Sequence, residues 1–123
     1  MRVREAAVAD LPDVMNVIDG AVLSADAATV RERMADGGVL VAVSADGERV
    51  LGALVLDGDH VAAVAVRRRR RGQGIGTALV EAAADRRNGL TAAFDADLRP
   101  FYEGLGFEIS PSEGDGRLRG VRD

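Results

Sequence analysis

The sequence contains no cysteine, no lysine and no tryptophan, and it has a single histidine, His60. The lack of cysteine excludes disulfides, thiolate metal sites and a cysteine nucleophile. One histidine cannot form a multi-histidine metal site within one chain, so we expect no bound metal. Because lysine is absent, the Gly-Lys-Ser/Thr end of a Walker A phosphate loop is excluded as well.

Long hydrophobic runs are missing too. The longest apolar stretches, residues 39–43 and 61–66, fall far short of the ~18 residues that a membrane span requires. The first ten residues lack the apolar core of a signal peptide. Acidic residues outnumber basic ones by 20 to 16, which disfavours nucleic acid or an anionic membrane as the main partner. We therefore expect a cytoplasmic protein with neither of these partners.

The chain has 123 residues, of which 47% are hydrophobic and 29% charged, a composition typical of one globular domain spanning residues 1–123. Residues 2–7 alternate weakly and predict a strand. Asp10 is placed to cap a helix whose apolar residues, from Leu11 to Val22, recur at helical spacing. A second helix is predicted over residues 26–35, with Gly37 just beyond its end.

The middle and the end of the chain predict a sheet with further helices. Asp-Gly pairs at positions 46–47 and 57–58 separate strands at 39–44, 50–56 and 60–66, which indicates an antiparallel meander. A helix at 74–87, a strand at 90–94, a short helix at 100–105 and a strand at 107–110 follow, and residues 117–121 can pair weakly. The order β-α-α-β-β-β-α-β-α-β predicts an α/β (α+β) domain with one sheet covered by helices.

A glycine-rich loop lies between the strand at 60–66 and the next helix. It reads Arg71-Gly72-Gln73-Gly74-Ile75-Gly76. Glycines let backbone N–H groups approach a bulky anion, and a helix N-terminus adds positive charge, so the loop is suited to a diphosphate. Thr77 stands where the dinucleotide-binding pattern of a Rossmann fold needs glycine, which excludes that motif.

Two motifs of this sequence resemble those of the GNAT superfamily of N-acetyltransferases. Arg71, Gly74 and Gly76 match its Arg/Gln-x-x-Gly-x-Gly/Ala motif, and residues 101–107, Phe-Tyr-Glu-Gly-Leu-Gly-Phe, match its Phe-Tyr-Glu-x-x-Gly-Phe segment. The resemblance implies a mixed, mostly antiparallel central sheet flanked by about four helices. It also implies direct transfer of an acetyl group from acetyl-CoA to a primary amine of a small molecule or peptide.

The resemblance also implies a role for individual residues. The pantetheine arm of acetyl-CoA pairs with backbone groups around Val64 and Val66, and Tyr102 points at the thioester sulfur. The diphosphate lies on the loop and the start of the following helix. The residues implied there are Arg71, Gly72, Gln73, Gly74, Ile75, Gly76 and Thr77.

Several points stay open at the level of the sequence. The base that accepts the proton of the amine is His60, Asp57, Asp59 or a water chain. A catalytically silent acyl-CoA sensor is the alternative function, and Tyr102 can be a packed aromatic residue. The arginines at 67–71 fit a solvated surface, a contact to the 3′-phosphate of CoA or a nucleic-acid patch. A short last strand that a second subunit completes leaves a homodimer open.

Overall fold

The computed structural model describes residues 1–20, 27–47, 49–111 and 117–123, and over these ranges it contains seven strands and four α-helices. The strands are β1 (Arg2–Glu5), β2 (Val39–Val43), β3 (Val50–Asp57), β4 (His60–Val66), β5 (Leu90–Phe94), β6 (Glu108–Pro111) and β7 (Leu118–Arg122). The helices are α1 (Leu11–Gly20), α2 (Ala27–Ala35), α3 (Ile75–Asp85) and α4 (Arg99–Gly104).

All seven strands form one sheet in the order β1-β2-β3-β4-β5-β7-β6. Neighbouring strands run antiparallel except β4 and β5, which are parallel. Gly47 and Gly58, the glycines of the two Asp-Gly pairs, both have positive φ, as the predicted turns of the meander require. The predicted fold class, a mostly antiparallel sheet flanked by four helices, is thereby confirmed.

Helices cover both faces of the sheet around β2 and β3. Residues of α1 and α2 such as Ile18 and Val30 pack on one face, and residues of α3 and α4 such as Leu79 and Tyr102 pack on the other. All five residues of β2 are buried, because a strand covered on both sides has no polar face. None of the helices described here is long and apolar enough to cross a membrane.

Several details of the sequence prediction need correction, and one is that the first strand ends at Glu5 rather than at residue 7. Asp10 does not cap a helix in the usual way: it ends a 3-10 turn, and its carboxylate accepts from the backbone N–H of Ala7 at 2.7 Å and from Arg4 at 2.7 and 3.1 Å. Helix α3 ends at Asp85, two residues before the predicted end at Arg87. Strand β7 is a full member of the sheet, since it pairs with both β5 and β6. Three predicted helix residues, at positions 21, 22 and 26, lie outside the described ranges.

Candidate active site

The parallel strands β4 and β5 separate along most of their length. Only the first two residues of β4 pair with β5, His60 with Thr91 and Val61 with Ala92. Ala62 is then an extra residue on β4 relative to β3, which makes it a β-bulge. Beyond the bulge β4 has no further partner in β5, so a V-shaped gap opens between the two strands.

Backbone groups of Val64 and Val66 face this gap. Past the end of β4, the N–H of Arg67 donates to the carbonyl oxygen of Leu51 in β3 at 2.9 Å. Residues of an antiparallel pair point their N–H and C=O groups alternately toward and away from the partner strand. Val64 and Val66 therefore point theirs away from β3 and into the gap, where an extended chain can pair with them.

The loop after β4 presents a row of unbonded backbone donors. The first hydrogen bond of α3 runs from the N–H of Ala78 to the carbonyl oxygen of Gly74 at 3.0 Å. Within the described part of the chain, no acceptor bonds to the N–H groups of residues 72–77. Gly72 and Gly74 have φ of +79° and +81°, and a Cβ at either position would meet nothing within 4 Å. We call residues 72–77 the amide cradle; its geometry fits a diphosphate.

Side chains around the amide cradle divide into buried and exposed ones. Ile75 is a core residue, so only its backbone is available, whereas Gln73 and Thr77 are exposed. Arg71 is exposed and bends back toward β4, because its Nε donates to the carbonyl oxygen of Val66 at 3.2 Å. Arg71 therefore stands where the gap meets the amide cradle.

The two sequence motifs meet where α3 and α4 touch. A Cβ built on Gly76 would lie 3.4 Å from Cζ of Phe101 and 3.8 Å from Cγ2 of Val66. These are ordinary van der Waals distances, so α4 packs directly against the first turn of α3 at Gly76. Tyr102, the next residue of α4, is held on the same side of the sheet as the amide cradle.

The ring of Tyr102 sits among three phenylalanines and is 5% exposed. It stacks on Phe94 of β5 at 4.1 Å and meets Phe101 and Phe107 edge-on at 5.0 and 5.1 Å. Burial raises the pKa of the Tyr102 hydroxyl, and the positive charge of Arg117 offsets part of that rise. Tyr102 therefore keeps its proton at neutral pH.

His60 lies on the opposite face of the sheet from Tyr102. Its neighbour Val61 packs on the face of α3 and α4, and successive side chains of a strand point to opposite faces. The imidazole Nδ1 is 2.9 Å from Oγ1 of Thr91 on β5. His60 is exposed, so its ring is accessible at the point where β4 and β5 begin to separate.

The two aspartates considered with His60 are engaged differently. Asp57 forms an ion pair with Arg33 of α2 at 2.9 Å. At position 59, the backbone carbonyl accepts from the N–H of Thr91 at 2.9 Å, which fixes the closed end of the gap. Both side chains are exposed, but Asp57 lies on β3 and is paired with Arg33, whereas His60 lies on β4, which borders the gap.

Sequence reasoning missed two residues near the gap, Thr91 and Arg117. Thr91 contacts His60 only through the register of β4 and β5. Arg117, just before β7, donates to the carbonyl oxygen of Ala93 at 3.0 Å and pairs with Asp95 at 3.4 Å. Both placements depend on pairing between distant strands, for which the local sequence carries no signal.

Comparison with known proteins relates this geometry to a family. Residues 16–119 match the model of an acetyltransferase (GNAT) domain. Among solved structures, Rv2747 from Mycobacterium tuberculosis, in a complex that contains CoA, is 18% identical with a TM-score of 0.81, and the match covers 99% of this chain and 98% of that one.

Two further structures share the fold. Ard1 from Thermoplasma volcanium is 19% identical with a TM-score of 0.76, over 97% of this chain and 93% of that one. N-acetylglutamate synthase from Neisseria gonorrhoeae, complexed with coenzyme A and N-acetyl-glutamate, is 17% identical with a TM-score of 0.81, over 98% of this chain but 34% of that one. Among curated proteins, none is similar enough in sequence to match this chain.

Proposed function

Because this chain belongs to the GNAT acetyltransferase family, we propose that residues 1–123 act as one domain that transfers an acetyl group from acetyl-CoA to a primary amine. The observation that carries the proposal is the amide cradle beside the gap between β4 and β5. Six consecutive N–H groups at a helix N-terminus, with no acceptor among the described residues, are the donors that a diphosphate requires. The gap is the space in which an extended arm can lie between two strands.

This geometry supports the following assignment of the residues that hold the cofactor. The amide cradle binds the diphosphate of CoA, and Arg71 adds a guanidinium at its edge. Backbone groups of Val64 and Val66 pair with the pantetheine arm. Bound acetyl-CoA supplies the thioester whose acetyl group is transferred. From Val66 to the bulge at Ala62 the strand spans ~13 Å, and an arm that pairs along it would bring its thioester toward the closed end of the gap.

Tyr102 serves as the hydrogen-bond donor to the sulfur. As the new C–N bond forms and the C–S bond breaks, negative charge moves to sulfur, which needs a donor. A buried tyrosine with a raised pKa keeps its proton for that hydrogen bond and gives it up only at a cost. A backbone N–H near Val64 stabilises the negative charge on the carbonyl oxygen.

His60 is the base that we propose. A primary amine with a pKa of ~10.4 must lose a proton before it attacks, at a cost of about 4–5 kcal/mol at pH 7. The hydrogen bond between Thr91 and Nδ1 fixes the imidazole ring, which leaves Nε2 to accept that proton when Nδ1 carries the hydrogen. Asp57 is less suitable because it already pairs with Arg33.

Two faces of the sheet thus receive different reactants. Tyr102 acts from the side of α3 and α4, and His60 from the side of α1 and α2. An acceptor amine that approaches from the side of His60 would attack the acetyl carbon from the face opposite to Tyr102, which donates to the leaving sulfur. The acceptor is a small molecule or a peptide carrying the amine.

A catalytically silent acyl-CoA sensor is the second candidate. The observation that favours it is the tight packing of Tyr102 among three phenylalanines, which is also what a purely structural aromatic residue shows. Both functions require CoA to bind, but only the enzyme releases free thiol when an amine is supplied.

The test is thiol release from acetyl-CoA with a panel of amines, together with the affinity for CoA by calorimetry. Tyr102→Phe should lower kcat about 10- to 100-fold, the value of one charge-assisted hydrogen bond, and leave the Kd of CoA nearly unchanged. A fully active variant would show that Tyr102 only packs. Absence of thiol release from wild type with every amine, alongside normal CoA binding, would support the sensor instead.

The base is tested separately. His60→Ala should reduce kcat/KM about 100-fold or more without changing CoA affinity, and added imidazole should restore part of the activity. Asp59→Asn, on the same turn, is the matched control and should stay within a few-fold of wild type. Loss of activity in the control but not in His60→Ala would reassign the role.

A further inference from the structure

A cationic cavity of about 680 Å³ lies beside the ends of β3 and β4. Among the described residues, five arginines and one acidic residue, Asp13 of α1, line it. The arginines are Arg49, at the start of β3, and Arg67, Arg68, Arg69 and Arg70, which follow β4. We call this cavity the arginine pocket.

Most arginines of this pocket lack a partner within the described residues. Arg67 is fixed, because its Nε donates to the carbonyl oxygen of Val50 at 2.6 Å. Elsewhere among the described residues five arginines pair with carboxylates. By contrast, no described carboxylate lies within ion-pair distance of the remaining four of the pocket, which are Arg49, Arg68, Arg69 and Arg70.

This lack of partners does not come from a shortage of acid. The chain has 20 acidic residues for 16 basic ones, yet among the described residues Asp13 is the only acidic one that lines the pocket. Crowding like charges is unfavourable unless an anion joins them. Guanidinium groups bind phosphate through paired N–H donors, so a phosphate group is the ligand that this set of side chains fits.

Arg70 connects the arginine pocket to the amide cradle. It also lines a neighbouring cavity of about 490 Å³, whose wall includes Gln73 and Ile75 of the cradle. A molecule whose diphosphate lies on residues 72–77 can therefore place another phosphate among the arginines. CoA has such a group in the 3′-phosphate of its ribose.

We propose that the arginine pocket binds a phosphate group, and that with CoA bound on the amide cradle this group is its 3′-phosphate. The inference rests on the proposed function for the diphosphate position, but it concerns different side chains. A small phosphate compound fits better than a nucleic acid, because the arginines line a concave wall and the chain as a whole is acidic.

The experiment compares CoA with dephospho-CoA, which lacks the 3′-phosphate, by calorimetry at one fixed salt concentration. Wild type should bind CoA at least tenfold more tightly than dephospho-CoA. The double variant Arg68→Gln/Arg69→Gln should lose that preference while its affinity for dephospho-CoA stays the same. Arg31→Gln/Arg86→Gln removes the same charge away from the pocket, and should keep the preference.

A second arm identifies a free ligand. Inorganic pyrophosphate is titrated into wild type saturated with dephospho-CoA, so that the amide cradle is already filled. If pyrophosphate binds to wild type under these conditions but not to Arg68→Gln/Arg69→Gln, the arginine pocket is a phosphate site. Its ligand can then be a separate small molecule rather than CoA.

The remaining outcomes separate the two proposals. If CoA and dephospho-CoA bind equally and pyrophosphate does not bind, the arginine pocket is not a phosphate site, although the proposed function stands. Binding of a DNA duplex alone, with every small phosphate inert, overturns the inference in favour of a nucleic-acid patch. If neither CoA nor dephospho-CoA binds, the proposed function itself fails.

Discussion

Gly52 of β3 sets how closely α3 approaches the sheet, and Gly52→Ala tests that packing. A Cβ at this position would lie 2.9 Å from the carbonyl oxygen of Ala65, 3.1 Å from Cγ2 of Ile75 and 3.2 Å from Cδ1 of Leu79. The nearest atom belongs to the backbone of β4, which cannot rotate away as a side chain can. Overpacking of this kind costs about 1–3 kcal/mol.

The net effect of Gly52→Ala is smaller than that cost. Alanine recovers about 0.5–1 kcal/mol of backbone entropy relative to glycine in a strand. We therefore expect the free energy of unfolding to fall by about 1–2 kcal/mol, measured by urea denaturation with an unchanged m-value. Because Ile75 begins α3, the added methyl group also displaces the amide cradle, and CoA affinity should fall several-fold.

Gly104→Ala is the matched control for this change. Gly104 is the last residue of α4 and a Cβ there would meet nothing within 4 Å. Alanine favours a helix more than glycine by up to about 1 kcal/mol, so stability should rise slightly. If Gly52→Ala is as stable as wild type, the idea that position 52 limits the approach of α3 is wrong.

Three other changes probe backbone conformation and protonation. Gly74→Ala forces a residue with a side chain into φ +81°, which costs about 1–2 kcal/mol, and calorimetry should show weaker CoA binding although no atom is displaced. Asp10→Asn weakens the contacts to Arg4 and to the N–H of Ala7 and should lower stability at pH 7 by about 1 kcal/mol. The contact with Arg4 lowers the pKa of Asp10 in the folded protein. The greater stability of wild type over Asp10→Asn is therefore present above about pH 4 and is lost as the pH falls through that lowered pKa. A difference in stability that stays constant down to pH 2 would contradict this. Burial raises the pKa of Tyr102, so stability should decrease as pH rises above about 10, where the unfolded chain loses the proton first, and Tyr102→Phe should remove this contribution.

The elements of the fold could be predicted because their signals are local. The Asp-Gly turns, the helical spacing from Leu11 onward and the glycine-rich loop each lie within a few residues. Strand β5 occurs where the sequence predicts it, at Leu90–Phe94. The sequence predicts only weak pairing for residues 117–121. Strand β7 is nevertheless a full strand, because it pairs with two strands, β5 and β6, and its pairing with β5 joins segments that are distant in sequence.

The candidate site was predictable only in part. The motifs indicated the amide cradle, and its N–H groups have no acceptor among the described residues. The contact of Gly76 with Phe101 follows from helix packing, and the position of Thr91 beside His60 follows from sheet register. The bulge at Ala62 lies within an unbroken apolar run, whose residues give no sign of an extra position.

The short contact between β4 and β5 divides the sheet into two half-sheets. One contains β1 to β4, the other β5, β7 and β6, and their seam consists of two residue pairs. A ligand arm that pairs along Val64 and Val66 lengthens this seam and acts as an inserted strand. Ligand at 100 times its Kd adds about 2.7 kcal/mol to stability, so amide hydrogens at the seam should exchange more slowly once the half-sheets are joined.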